Sequence, residues 1–279
     1  MALKESSARL LCWLKKTTDI KLDSLLTLGK LRLYMKSKQI ESLYKDYSDV
    51  LQEKEITNSD TLFKSLGVQT LCSLDFSDFE GADIIHDLNL PIKSHLKERF
   101  DCVIDAGTSE HVFNVYQNIL NIMSMIKKGG YYIGTLPTNN YSGHGLYQFS
   151  PGLFIQLFNQ NNNFQLIHIF YCHRRNTKRL YKIIESAFKD RFEINDYMPA
   201  EIYVVAKKTG STPGTLTLQQ KDYEAKWNKT FSPPSLKKGL LWKAYDKIYM
   251  RLSFEYREGF FRVFEKNMIN RKYLKKIEI

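Results

Sequence analysis

Residues 100–137 read FDCVIDAGTSEHVFNVYQNILNIMSMIKKGGYYIGTLP. Phe100–Ile104 is a short apolar run that enters Asp105-Ala106-Gly107, the pattern of a buried strand running into a loop. Val115–Ile126 then places apolar residues at Val115, Ile119, Ile122, Met123 and Ile126, which predicts a helix with one apolar face. Lys127-Lys128-Gly129-Gly130 predicts its end, with cations beside the last carbonyls and glycine for a left-handed cap. Tyr131–Leu136, closed by Pro137, is the next strand. A strand, a helix and a second strand in one such run describe a crossover between parallel strands.

The same alternation extends outward. Upstream, residues 1–20 predict an amphipathic helix, and Ser24–Leu28 a strand stopped by Gly29. A helix is expected near Gln39–Gln52, and another over Asp60–Leu66 with Asp60 as its cap and Gly67 as its stop. Val68–Leu74 is a buried strand ending at Asp75, and Ala82–Ile85 a short one before His86-Asp87-Leu88-Asn89. Downstream, Phe149–Phe158 is a helix with Pro151 in its first turn. Phe164–Phe170 and Glu201–Ala206 are strands, with a helix near Thr177–Phe188 between them. The pattern predicts an α/β fold: a Rossmann-like, open, mostly parallel sheet with helices on both faces. Residues 1–209 form this domain, and 210–279 a basic, aromatic-rich, mainly helical extension.

The 279 residues carry a net charge of +11. From Lys221 onward there are 15 Lys+Arg against 7 Asp+Glu, a balance of +8, leaving +3 for the first 220 residues. The charge therefore says more about the tail than about the domain before it. No run reaches the roughly 20 apolar residues of a membrane span. Cys12, Cys72, Cys102 and Cys172 show no disulfide or zinc spacing, and no metal-binding residue is assigned. No signal peptide is recognised at the N-terminus. A cytoplasmic protein is expected. The tail, with Leu240–Leu252 and Phe260–Phe264 mixing basic and large apolar residues, has two readings. It packs on the domain or a second copy, or it lies on a membrane surface. No nucleic-acid recognition motif is found.

In an open parallel sheet the ligand lies beyond the carboxyl ends of the strands, near the switch in strand order. Gly29, Asp75, Asp87, Asp105–His111 and Pro137–His144 all fall there. His144, between two glycines, is the candidate general base, because its ordinary pKa lies near neutrality.

The run Phe100–Phe113, its Glu110-His111-Val112 motif, the following Lys128-Gly129-Gly130 and the strand to Pro137 resemble class I S-adenosylmethionine-dependent methyltransferases. The resemblance covers about residues 66–158. It implies S-adenosyl-L-methionine as cofactor, with Asp75 on the ribose diol and Asp87 and Leu88 beside the adenine. Gly29 would lie under the methionine end, and Asp105, Gly107, Glu110 and His111 in the same pocket. It implies methyl transfer to an oxygen or nitrogen of a small molecule or a glycan. The family's acidic-x-Gly-x-Gly-x-Gly loop reads Thr27-Leu28-Gly29-Lys30-Leu31-Arg32-Leu33 here. That leaves a second reading, a non-catalytic methyltransferase-like scaffold.

Overall fold

The computed structural model of the protein describes residues 2–53, 55–174, 178–184, 194, 198–216, 218–219, 227 and 274–279. In chain order these form β1 (Ala2–Lys4), α1 (Glu5–Thr17), β2 (Ser24–Leu28), β3 (Arg32–Tyr34), α2 (Ser37–Tyr47), α3 (Ser59–Ser65), β4 (Thr70–Asp75), β5 (Ile84–Ile85), β6 (Phe100–Asp105), α4 (Val115–Met125), β7 (Ile126–Asn139), α5 (Pro151–Leu157), β8 (Phe164–His173), β9 (Arg179–Ile183), β10 (Ala200–Lys208) and β11 (Leu274–Glu278).

Among the described residues nine strands make one sheet in the order β11-β9-β8-β10-β7-β6-β2-β4-β5. β5, β4, β2, β6 and β7 are mutually parallel. In chain order these five run third, second, first, fourth, fifth, which is the order of a doubly wound Rossmann-like sheet. The order reverses between β2 and β6, so the switch point lies at the exits of those two strands. β10 inserts antiparallel between β7 and β8. β1 and β3 form a separate parallel pair.

Side chains alternate across each strand and supply two cores. Leu26, Leu28, Val103, Tyr132, Ile202 and Val204 face one side, packed with α4 and α5. Leu25, Cys102, Ile104, Tyr131, Tyr203 and Val205 face the other, packed with α1, α2 and α3. Arg9 of α1 is 1% exposed. Its guanidinium is satisfied by Glu5 at 3.1 Å, Asp46 at 2.8 Å and Ser42 at 2.8 Å. Those bonds fasten α2 to α1 through a buried charge, which is tolerable only when paired in this way.

Four local expectations are corrected. The N-terminal helix begins at Glu5, because Ala2–Lys4 pairs with β3. The cap of α3 is Asn58, whose side chain accepts from Thr61 N at 2.9 Å. The helix expected near Thr177–Phe188 is, over Arg179–Ile183, a strand held between β8 and β11; residues 185–190 lie outside the described set. The helix after Asn114 ends at Met125, without using the lysine–glycine run. Lys127 instead reaches Asp101 at 3.0 Å, and the carbonyls of Met123 and Ile126 accept from Lys208 of β10 at 3.0 and 2.8 Å.

Most of the tail, 220–226 and 228–273, is also outside the described residues, so the helical, oligomeric and membrane-surface expectations fall there. Leu274–Glu278 is a strand paired with β9, which returns the chain end to the sheet. Among the described residues no helix is long and apolar enough to cross a membrane.

The ring of His168 of β8 lies 5.2 Å from that of Trp13, and its Nδ1 is buried with no hydrogen-bond partner among the described residues. Burial pushes its pKa down from 6.5 to about 4. The unfolded chain therefore takes up this proton first. The contribution to stability is complete above about pH 6.5 and is lost as pH falls toward 4. Discounted for partial exposure, it amounts to about 2 kcal/mol. His168→Phe is expected to flatten this part of the acid limb in denaturant titrations at pH 7.5 and 4.5. An equal wild-type-to-variant difference at both pH values would refute the assignment.

Candidate functional site at the carboxyl ends of the parallel strands

β2 leaves the sheet at Gly29, whose φ of 77° is readily adopted only without a side chain. Its N–H donates to Leu74 O at 2.6 Å, tying this exit to β4. The Thr27 hydroxyl donates to Gly29 O at 2.9 Å, and Thr108 donates to Leu28 O at 2.7 Å. Leu31 is buried in the core under α1–α3, and Arg32 turns outward to Glu80 at 2.8 Å. The two leucines that replace glycines in the resembled motif are thus accounted for by the helix-side core, in which Leu31 is buried and against which Leu33 packs partly buried.

Asp75 ends β4, half-buried. One carboxylate oxygen accepts from Phe76 N at 2.7 Å; the other has no hydrogen bond among the described residues. Asp87 lies beyond β5. Its Oδ1 accepts from the backbone and side chain of Asn89 at 2.9 and 2.7 Å, and these bonds hold its pKa below the usual carboxylate range. Asn89 in turn accepts from Asn114 N at 2.8 Å, the cap of α4. Leu88 is buried in the α4–α5 core, so its position is a packing one.

Asp105, at the end of β6, is fully buried. It accepts from Thr108 N at 2.9 Å, Ser109 N at 3.3 Å, the Ser109 hydroxyl and, at 3.4 Å, the Tyr132 hydroxyl. Burial pushes its pKa up against these bonds. With its oxygens turned inward, Asp105 shapes the loop. The product is a 3₁₀ turn, Ser109–His111, that presents Glu110 and His111.

Glu110 is 1% exposed. Burial, and then repulsion from Asp105, push its pKa up to about 8. Its Oε2 is buried and has no hydrogen-bond partner among the described residues. Its Oε1 lies 3.6 Å from His144 Nε2, across from the loop after β7. Two glycines permit this approach. A Cβ on Gly107 (φ 91°) would sit 3.0 Å from Glu110 Oε1, and one on Gly145 (φ 71°) would meet Glu110 O at 2.9 Å. Leu146 N and Tyr147 N both donate to Glu110 O, at 2.6 and 3.2 Å. The rings of His111 and His144 meet nearly edge to face, with centroids 5.4 Å apart. Burial, then the charge of His144, lower the pKa of His111. His111 and His144 are both exposed.

The fold thus brings Glu110, His111 and His144 together. Asp75 and Gly29 stand at neighbouring strand exits. Asp87, Leu88 and Asp105 make structural contacts around them. Sequence reading missed Glu201. This buried residue of β10 accepts from Tyr141 OH at 2.6 Å and pairs with Lys4, so it anchors both the loop carrying His144 and the N-terminal strand. Its sequence signal was a lone acid in the apolar run Ala200-Glu-Ile-Tyr-Val-Val-Ala206. Phe76, Phe79, Phe113 and Leu146, in the loops after β4, β6 and β7, are exposed apolar groups that sequence reading also passed over.

No protein-family model matches the sequence, and no curated protein matches it. Solved structures are similar at low identity. The Burkholderia thailandensis 1,6-didemethyltoxoflavin-N1-methyltransferase, bound to 1,6-didemethyltoxoflavin and S-adenosylhomocysteine, is 10% identical, with 74% of this chain and 80% of that one covered at a TM-score of 0.39. A putative S-adenosylmethionine-dependent methyltransferase from Listeria monocytogenes is 11% identical, covering 72% and 99% at 0.38. The [4+2]-cyclase SpnF is 12% identical, covering 73% and 82% at 0.38.

Proposed function

We propose that the protein is an S-adenosylmethionine-dependent methyltransferase acting on an oxygen or nitrogen of a small-molecule or saccharide acceptor. The observation that carries this reading is the convergence of Gly29, Asp75 and Glu110 at the exits of β2, β4 and β6, astride the switch in strand order. The residues present fit the cofactor. Gly29 has the backbone of a close approach, Leu31 is packed away, and Asp75 keeps one carboxylate oxygen with no hydrogen bond among the described residues, available for a ribose hydroxyl.

When bound, the cofactor would supply an electrophilic methyl group to a lone pair of the acceptor, which would give up a proton. Within the protein, Asp75 holds and Gly29 admits. His144, at the mouth of the site, is the group placed to take the proton. Glu110 sets the position of His144 through the loop bonds to its own carbonyl. Phe113 and Leu146 offer an apolar face against which a ring or the C–H face of a sugar packs, excluding water from the in-line path.

Calorimetry with S-adenosylhomocysteine is expected to show micromolar binding. Asp75→Ala should weaken it about 10- to 100-fold, the loss expected from a charge-assisted hydrogen bond. Well-folded protein that gives no heat with either S-adenosyl compound would sink the proposal. It would favour the second reading, a methyltransferase-like scaffold, which draws on the single glycine of the first loop and the Arg32–Glu80 pair that links the segments after β2 and β4.

A further inference from the structure

We propose that Glu110, His111 and His144 form a site for one divalent transition-metal ion of the zinc type. The cysteine spacing in the sequence pointed to no metal, and the site exists only because the loops after β6 and β7 meet. One ligand atom from each of the three residues lies within 4.8 Å of the others. Glu110 Oε1 and His144 Nε2, at 3.6 Å, are too far apart for a hydrogen bond. They are close to the roughly 3.4 Å that separates two ligands bound at about 2.1 Å in a tetrahedral site.

A second, independent observation points to the same place. Among the described residues Glu110 Oε2 is buried with no hydrogen-bond partner, on a side chain only 2% exposed. A buried carboxylate oxygen without a donor is costly, and calls for an unseen partner such as an ion. A cation there also reverses the electrostatics, because it favours the ionised carboxylate that burial otherwise disfavours.

The donor set selects the ion. Two imidazoles and one carboxylate suit zinc, cobalt, nickel, copper or ferrous iron, whereas magnesium and calcium prefer all-oxygen sites. Three protein ligands leave at least one position open, the arrangement of catalytic rather than structural zinc. Because His111 and His144 are exposed, the open side faces solvent. The supports are in place: Asp105 organises the turn that carries Glu110 and His111. Glu201, through Tyr141, anchors the loop that carries His144. An ion held there would supply a Lewis acid at its open position. The metal site itself does not depend on methyl transfer.

The test uses the full chain, stripped with chelator and titrated with Co²⁺, followed by Zn²⁺ competition in calorimetry. Visible cobalt d–d bands saturating at one ion per chain are expected, displaced by zinc. His111→Ala and His144→Ala should each weaken binding by about tenfold or more, and the double variant should abolish it. His95→Ala, an exposed histidine outside the site, should bind as wild type. Circular dichroism establishes that each variant is folded. No bands with folded wild type, or equal affinity in wild type and the double variant, would overturn the proposal. S-adenosylhomocysteine calorimetry on the same samples reads the other claim separately. Homocysteine-nucleoside binding without metal binding defeats only the ion, and the reverse defeats only the methyl donor.

Discussion

Asp105→Ala is expected to lower the unfolding free energy by about 4 kcal/mol and to abolish ligand binding at the strand ends. The carboxylate is fully buried and accepts from two backbone N–H groups and two hydroxyls. Alanine leaves Thr108 N and Ser109 N without their acceptor inside the protein. It also removes the anchor of the 3₁₀ turn that holds Glu110 and His111. Asn118, which donates to the Ser109 hydroxyl at 2.6 Å, loses an ordered partner as well. Asp105→Asn keeps the shape and one acceptor oxygen, and should cost about 1–2 kcal/mol. Urea denaturation gives both values. A loss below 1 kcal/mol in the alanine variant would show that the turn is held by other contacts.

Lys208→Met should cost about 3 kcal/mol, although it replaces a charge by an apolar group of similar length. The ammonium is fully buried and donates to Met123 O and Ile126 O, while pairing with Glu98 at 3.2 Å. Burial lowers the lysine's pKa, and Glu98 opposes that shift. Met123 O keeps a second donor in Thr212 at 3.0 Å. Ile126 O has no such substitute from that side chain, so the junction of α4 and β7 loosens. Lys208→Arg should not rescue fully, because a planar guanidinium does not fit a pocket shaped for a tetrahedral donor. Equal midpoints for wild type and the methionine variant in denaturant would refute this role.

Lys208 also shows where sequence reading reached its limit. The lysine–glycine run after α4 carried every local sign of a helix end. The carbonyls were met instead by a lysine more than eighty residues later, brought alongside by β10. The strand over Arg179–Ile183 failed in the same manner. Leu180 and Ile183, three apart, are both buried and match a helical face equally well. Pairing with β8 and with the last residues of the chain decided between the two, and sequence spacing carries no record of such pairing.

The site divides along the same line. Strand ends, and hence Gly29, Asp75, Asp105 and His144 as loop residues, were legible from apolar runs and their punctuation, because burial on both faces of a parallel sheet leaves a continuous apolar signature. The resemblance around Glu110-His111-Val112 drew attention to those two residues. That Asp87 closes a turn, that Leu88 packs inward, and that Leu31 and Arg32 are accommodated away from one another required coordinates.

By itself the sequence determined the layered α/β architecture and the strand ends at which a ligand is expected. These follow from periodicity, and periodicity is a local consequence of backbone geometry. Only the tertiary structure decided which of the loop residues meet. The 3.6 Å approach of His144 to the buried Glu110 depends on two glycines, a carboxylate beneath the turn and a glutamate on a distant strand. Those contacts join segments far apart in the chain, whose relative positions are set by packing and strand order.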